Sequence, residues 1–254
     1  TAQPNVIVLN QTLTIPGLQR QRQLRLYLPP DYETSTQRYP VLYMHDGQNL
    51  FDAATGYAGE WNVDETLNRL SKSGKLDLIV VGIDNGGEQR ITELNPWTNA
   101  RFGPGAGAAY MDFIVHVVKP YIDQQYRTKA DREHTAIMGS SLGGLISHYA
   151  IAQYPEVFSK AGIFSPSYWI AEESFGYFAG TPSKQDARLY LLMGGKEGGS
   201  QLPDVKRVYA SLLAAGHPAQ GIKLVIDPNG KHNEAFWSKE FEAAILWLFA
   251  SGGK

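Results

Sequence analysis

The sequence predicts an α/β fold, a mostly parallel central sheet flanked by helices, with antiparallel strands at its N-terminus. Three observations carry this. Short, nearly continuous apolar runs recur from Tyr39 onwards, as strands covered on both faces require. Helical patterns stand between them, and such alternation implies parallel strands joined by crossover helices. Ahead of Tyr39, "NVIVLNQTL" and "RQLRLYLPP" follow each other with no helix between, as an antiparallel hairpin or meander would.

In chain order, "YPVLYMHD" and "LDLIVVGID" are the first buried strands, and "HTAIMGS", "SKAGIFSP", "ARLYLLMGG" and "GIKLVIDP" repeat the pattern, each closing in small or turn residues. Helices are predicted over 63–71, 106–126, 142–153, 203–215 and 234–250. Two looser segments, 86–109 and 165–184, follow strands and carry Trp97, Phe102, Tyr168, Trp169, Phe175, Tyr177 and Phe178. In open α/β sheets ligands bind beyond the carboxyl ends of the strands, so these segments are expected to wall a site there, or simply to pack on the domain. No repeat or linker breaks the chain, so one domain over 1–254 is expected.

Composition narrows the function. A net charge of −2 offers no electrostatic footprint for nucleic acid. No apolar run approaches the ~18 residues of a membrane span, so a soluble protein is expected. The absence of cysteine removes disulfides, thiolate zinc sites and a cysteine nucleophile together. A start at Thr1 that runs straight into strand-like sequence is the form left by signal-peptide removal, or by trimming, and the expectation is a periplasmic or secreted protein.

The segment Gly139-Ser140-Ser141-Leu142-Gly143 fits G-x-S-x-G, with a strand before it and a helix after it. A nucleophile in that setting sits on a sharp, strained turn that exposes its hydroxyl beside a helix N-terminus. Ser141 is the central residue and Ser140 the variable one. A serine needs a histidine base, which in this chain order follows the acid near the C-terminus. His232, in "DPNGKHNEAFW", lies between the last strand and the last helix; His217 reads as a surface turn. His45, His116, His134 and His148 read as packing or surface residues, and none has metal-ligand spacing. A metal at His45, Asp46 and Asp52 is the weaker reading of that loop. Neither a metal nor a cofactor is called for.

The acid should follow the strand between serine and histidine, where "LLMGGKEGG" supplies Glu197. Asp204, a helix-start residue, and Asp227, a turn residue, compete with it. The oxyanion donors are the amide of Leu142 and, in "HDGQNLFD", that of Gln48. Trp61, Arg90, Arg101, Tyr168 and Trp169 are candidate substrate contacts; alternatively Trp61 caps its helix and Arg90 pairs with Glu93. "FGPGAGAA" matches a loose dinucleotide pattern, but no strand precedes it.

Together "YPVLYMHDGQNLFD", "EWNVDETL", "IVVGIDNGGEQRITELNPW", "AIMGSSLGGLISHYAIAQYPEVFSKAGIFSPSYW" and "LLMGGKEGG…GKHNEAFW" resemble the esterase D-like, or "putative esterase", family of α/β hydrolases. Enterochelin, feruloyl and acetylxylan esterases and mycolyltransferases are among its relatives. The resemblance covers the chain from about Tyr39 to the final helix. It implies the α/β-hydrolase fold, a nucleophile at Ser141, an acid at Glu197, a base at His232 and oxyanion amides at Gln48 and Leu142. It implies hydrolysis of a small-molecule or saccharide ester through an acyl-enzyme, without choosing the substrate. Neutral carbohydrate- or phenolic-linked acyl esters are expected, since the segments around the site lack a cluster of basic residues. A siderophore esterase, or an acyltransferase with the same triad, is the alternative.

Overall fold

The computed structural model describes residues 1–250, so the last four residues of the expected domain lie outside the described residues. Ten strands form two sheets: β1 (Val6–Val8), β2 (Leu13–Ile15), β3 (Arg20–Arg22), β4 (Leu24–Tyr27), β5 (Val41–His45), β6 (Ile79–Ile83), β7 (Thr135–Ser140), β8 (Lys160–Phe164), β9 (Arg188–Gly194) and β10 (Ile222–Asp227). The large sheet has the order β1-β4-β6-β5-β7-β8-β9-β10. Its strands from β6 through β10 are parallel, while β4 pairs antiparallel with both β1 and β6. The N-terminal runs therefore do not make one hairpin. β2 and β3 leave the main sheet and pair with each other, and β1 reaches across to β4.

The helices are α1 (Val63–Lys72), α2 (Arg90–Glu93), α3 (Gly107–Phe113), α4 (Lys119–Gln125), α5 (Leu142–Gln153), α6 (Glu173–Gly180), α7 (Gln201–Ala214) and α8 (Glu234–Leu248). α3 and α4 realise the helix predicted over 106–126, joined through a π turn at Ile114–Val118. Pro120 cannot donate to the carbonyl four residues back, and the widened turn stands just ahead of it. α7 starts two residues before Pro203, whose missing N–H costs nothing in a first turn.

Successive strand residues point to opposite faces, and the two faces bury separate cores. Tyr43, Val81, Ile137, Ile163 and Leu191 pack with α3, α5, α6 and α7. Leu42, Met44, Val80, Met138 and Leu192 pack with α1 and α8. α5 lies deepest: every residue from Leu142 through Ala152 is buried, which explains its lack of an amphipathic stripe. The parallel strands thus deliver their carboxyl ends, and the turns after them, to one edge of the molecule.

Candidate active site

Ser141 sits between β7 and α5 at φ +63°, ψ −120°, a conformation that L residues rarely adopt. Its neighbours must be small for the turn to close. A Cβ on Gly139 would stand 2.8 Å from the Gly143 carbonyl, and one on Gly144 would stand 2.6 Å from the Phe164 carbonyl. Gly139 of the motif and Gly144 just beyond it are therefore packing requirements, and Gly144 lets α5 approach β8.

The loop after β10 carries His232 over this turn, held by the α8 cap, where the Asn233 side chain accepts the Phe236 amide. His232 Nε2 lies 2.9 Å from Ser141 Oγ, and His232 Nδ1 lies 2.6 Å from Glu197 Oε1. Glu197, just beyond β9, also accepts the Ser165 hydroxyl at 2.6 Å and the Gly194 amide at 2.7 Å on Oε2. Burial of the carboxylate raises its pKa, but these donors, His232 foremost, more than offset that and hold it below the usual range. An ionised Glu197 accepts from Nδ1–H, which leaves Nε2 as the acceptor for the serine proton. Asp204 instead accepts from Ser200 at 2.8 Å, and Asp227 accepts the Asn229 amide and meets Lys239.

Among the described residues, neither the Gln48 nor the Leu142 amide has a protein acceptor. Leu142 is the first residue of α5, where amides lack intrahelical partners. The Gln48 side chain clamps the backbone of Asn85 from both sides, at 3.1 and 2.9 Å. Beside it Asp46, at φ +57°, is gripped by Arg90 at 2.7 and 2.9 Å and by Asn85 at 2.8 Å. Burial alone would raise the Asp46 carboxyl, but the guanidinium and the Asn85 amide hold it below its usual value. Arg90 thus bonds Asp46 rather than Glu93, which is buried against Arg20 and Arg22.

A cleft of about 630 Å³ opens over Ser141 and His232, with Gln48, Asn85 and Arg90 along one wall. The other predicted contacts are not among its lining residues. Trp61 is 2% exposed and stacks on Phe164 behind the site, and Tyr168 is fully buried with its hydroxyl on His148. Arg101 lies over Phe102, and Trp169 is 51% exposed outside the cleft. Of the aromatics of 165–184, Tyr168, Phe175 and Phe178 belong to the core, the last two turned inward by α6, which is absent from the sequence prediction, and Tyr177 packs against it. His217, read as a surface residue, is buried, with Nε2 3.0 Å from the Ala187 carbonyl. Four residues went unseen in the sequence: Tyr57, 93% exposed at the cleft wall, Trp237 beside His232, Ser165, and Ser167, whose Oγ is 3.2 Å from that of Ser141. Only Tyr57 carried a signal, an aromatic in the glycine-rich stretch "ATGYAGE".

Fold and site together have the build of an α/β hydrolase acting on carboxylic esters. Residues 15–248 match the family described as "Putative esterase", and the chain belongs to that family of ester hydrolases. It is 30% identical over 243 residues to the Bacillus subtilis protein YbbA, covering 90% of this chain and 92% of that one. To the iron(III) salmochelin esterase of Escherichia coli O6:H1 it is 29% identical over 234 residues, covering 86% of this chain; it spans about half, 52%, of that relative. Among solved structures, a ferulic acid esterase superposes with a TM-score of 0.75 at 21% identity, covering 96% of this chain and 98% of that one. The Shigella flexneri enterobactin esterase, solved in the presence of enterobactin, gives 0.78 at 20% identity over 98% of this chain and 60% of its own. At such identities these superpositions establish the fold. Among the described residues no helix is long and apolar enough to cross a membrane.

Proposed function

We propose that the protein is a serine esterase that works through an acyl-enzyme on neutral or weakly charged esters, with the acyl group linked to a carbohydrate or phenolic partner. The observation that carries the chemistry is the continuous chain Ser141–His232–Glu197, at 2.9 and 2.6 Å, facing an open cleft. His232 takes the serine proton as Oγ attacks the ester carbonyl, and Glu197 stabilises the imidazolium that forms. The Gln48 and Leu142 amides receive the oxyanion, and His232 then protonates the leaving alcohol. Water activated by the same imidazole releases the acid.

The substrate class rests on charge. The charged side chains lining the cleft, besides His232, are Asp46, Arg90 and Glu234, and the single guanidinium is spent on Asp46. Such a wall gives a polyanion little to hold. The exposed ring of Tyr57 offers a face for a sugar or phenolic ring instead. Relatives named as esterases of salmochelin and of triacetylfusarinine C favour a siderophore ester as the second reading. A panel of acetylated and feruloylated saccharides, aryl esters and siderophore esters, with products identified with and without an added alcohol acceptor, tests both readings and separates hydrolysis from acyl transfer.

A further inference from the structure

We propose that Glu60, Asp64 and Glu65 form a calcium site that fastens the loop over the cleft to α1. One carboxylate oxygen from each residue lies within 4.8 Å of those of the other two. Asp64 is 0% exposed, and its Oδ1, like Glu60 Oε2 and Glu65 Oε2, is shut off from solvent without a hydrogen-bond partner. The Gln3 amide, on Asp64 Oδ2 at 2.8 Å, gives this group its protein donor. Among the described residues no lysine, arginine or histidine forms an ion pair with the three, and the Thr1 ammonium lies 3.5 Å from Asp52. With Asp64 buried and Glu60 and Glu65 half-buried, three converging carboxylates are costly unless a cation or a shared proton joins them, and the unpartnered oxygens are placed to receive a cation.

The chemistry of the donors selects the ion. An all-oxygen, carboxylate-rich set suits a hard cation, and calcium, at ~2.3–2.6 Å from each ligand, tolerates oxygens up to about 5 Å apart. Magnesium demands a tighter octahedron and gives up its waters reluctantly. The position also has a use. Thr55, Gly56, Tyr57 and Ala58 line the cleft, and Glu60 closes their loop, whereas Asp64 and Glu65 stand in the first turn of α1. An ion shared by the three would join the two segments beside the cleft.

Trp61, next to Glu60, makes the test direct, because a tryptophan beside a bound terbium ion sensitises its luminescence. The full chain, stripped with chelator, should bind terbium saturably and release it to calcium, and millimolar calcium should raise Tm by about 5 °C. A Glu60→Gln/Glu65→Gln double variant with an unchanged circular dichroism spectrum should lose both responses. Asp131→Asn, in the separate cluster with Glu133 and His134, should keep them. Absence of both responses in the wild type would overturn the site, as would responses that survive in the double variant or disappear in Asp131→Asn. So would a wild type that ignores calcium while the double variant is the more stable in chelator, the result if the carboxylates merely share a proton.

Discussion

The Ser165 hydroxyl lies 2.6 Å from Oε2 of Glu197, and on its other side it receives the Trp237 indole N–H at 2.9 Å. Ser165 is fully buried at φ +46°, so the geometry of this link is set by packing rather than by solvent. It makes a line from α8 through Ser165 and Glu197 to His232. A hydrogen bond to a charged group contributes about 1.5–3 kcal/mol. Ser165→Ala should therefore lower kcat roughly 10-fold or more with KM within about twofold, since the link orients groups without touching substrate. Steady-state kinetics on an aryl ester checks this; an unchanged kcat would remove Ser165 from the positioning network.

The nucleophile is tested by the two adjacent serines. Ser141→Ala should cost up to roughly a million-fold in kcat, the scale of losing a serine nucleophile. Ser140→Ala should keep most activity, because Ser140 ends β7 with no hydrogen-bonded link to His232. Mass spectrometry after brief exposure to an organophosphorus ester should find the adduct on Ser141; modification at Ser140 would reject the assignment.

Glu197→Gln should keep the fold and lose ~10³–10⁴-fold in kcat, because an amide no longer enforces the imidazole tautomer. Asp204→Asn and Asp227→Asn should stay within a few-fold of wild type, since Ser200 and the Asn229 amide occupy those carboxylates. A Glu197→Gln enzyme of near-normal kcat would sink the triad as assigned.

How far these assignments were readable without coordinates depends on how local the signal is. The parallel strands, α5 and the serine turn were legible because continuous apolar runs and a G-x-S-x-G spacing are short-range features. That Glu197 and His232 lie close to Ser141 was legible through their place after particular strands. Ser165 and Trp237 were not: their meaning lies in a hydrogen bond across 72 residues. Of the candidate substrate contacts Arg90 lines the cleft, and Trp61, Arg101, Tyr168 and Trp169 lie outside it, which the sequence hid for a related reason. Trp61 and Tyr168 are aromatics in the right loops, but the residue type alone cannot tell a ring stacked on Phe164 from one lining a cleft. Glu93 was offered to nearby Arg90, yet it lies against Arg20 and Arg22 from the N-terminal strands, and distance along the chain hid that choice.

The Asp46–Arg90 pair predicts a pH dependence of stability. The folded Asp46 carboxyl lies below its ordinary value, with burial raising it and Arg90 outweighing burial. A group depressed in the folded state contributes stability that is present above its unfolded pKa, about 3.9, and lost as pH falls through the folded value. Tm should therefore drop from about pH 5 downward, and Asp46→Asn should flatten that drop. At pH 7 the variant should be less stable by about 2 kcal/mol, since it leaves a half-buried guanidinium without its counter-ion. Thermal melts of both proteins from pH 3 to 7 check this; parallel curves would place the acid sensitivity elsewhere.

The last prediction concerns substrate, where relatives and cleft point different ways. Salmochelin and enterobactin esterases are among the proteins this chain resembles. A ferric catecholate carries several negative charges and needs cations to receive it, yet Arg90 is bound to Asp46, and Glu234 lies in the same cleft. Burial also raises the Glu234 carboxyl, with Asp46 adding to the effect and His232 and Arg90 opposing it. Tyr57, 93% exposed at the wall, is free to stack on a ring. Acetylated or feruloylated saccharides should thus give the higher kcat/KM, with little dependence on salt. Tyr57→Ala should raise KM for these esters several-fold while leaving kcat within about twofold, since loss of one stacking contact of about 0.5–1.5 kcal/mol weakens ground state and transition state alike. Competition between a feruloylated saccharide and a ferric siderophore trilactone decides the matter: preference for the trilactone, weakening steeply with added salt, would establish the siderophore reading in place of this one.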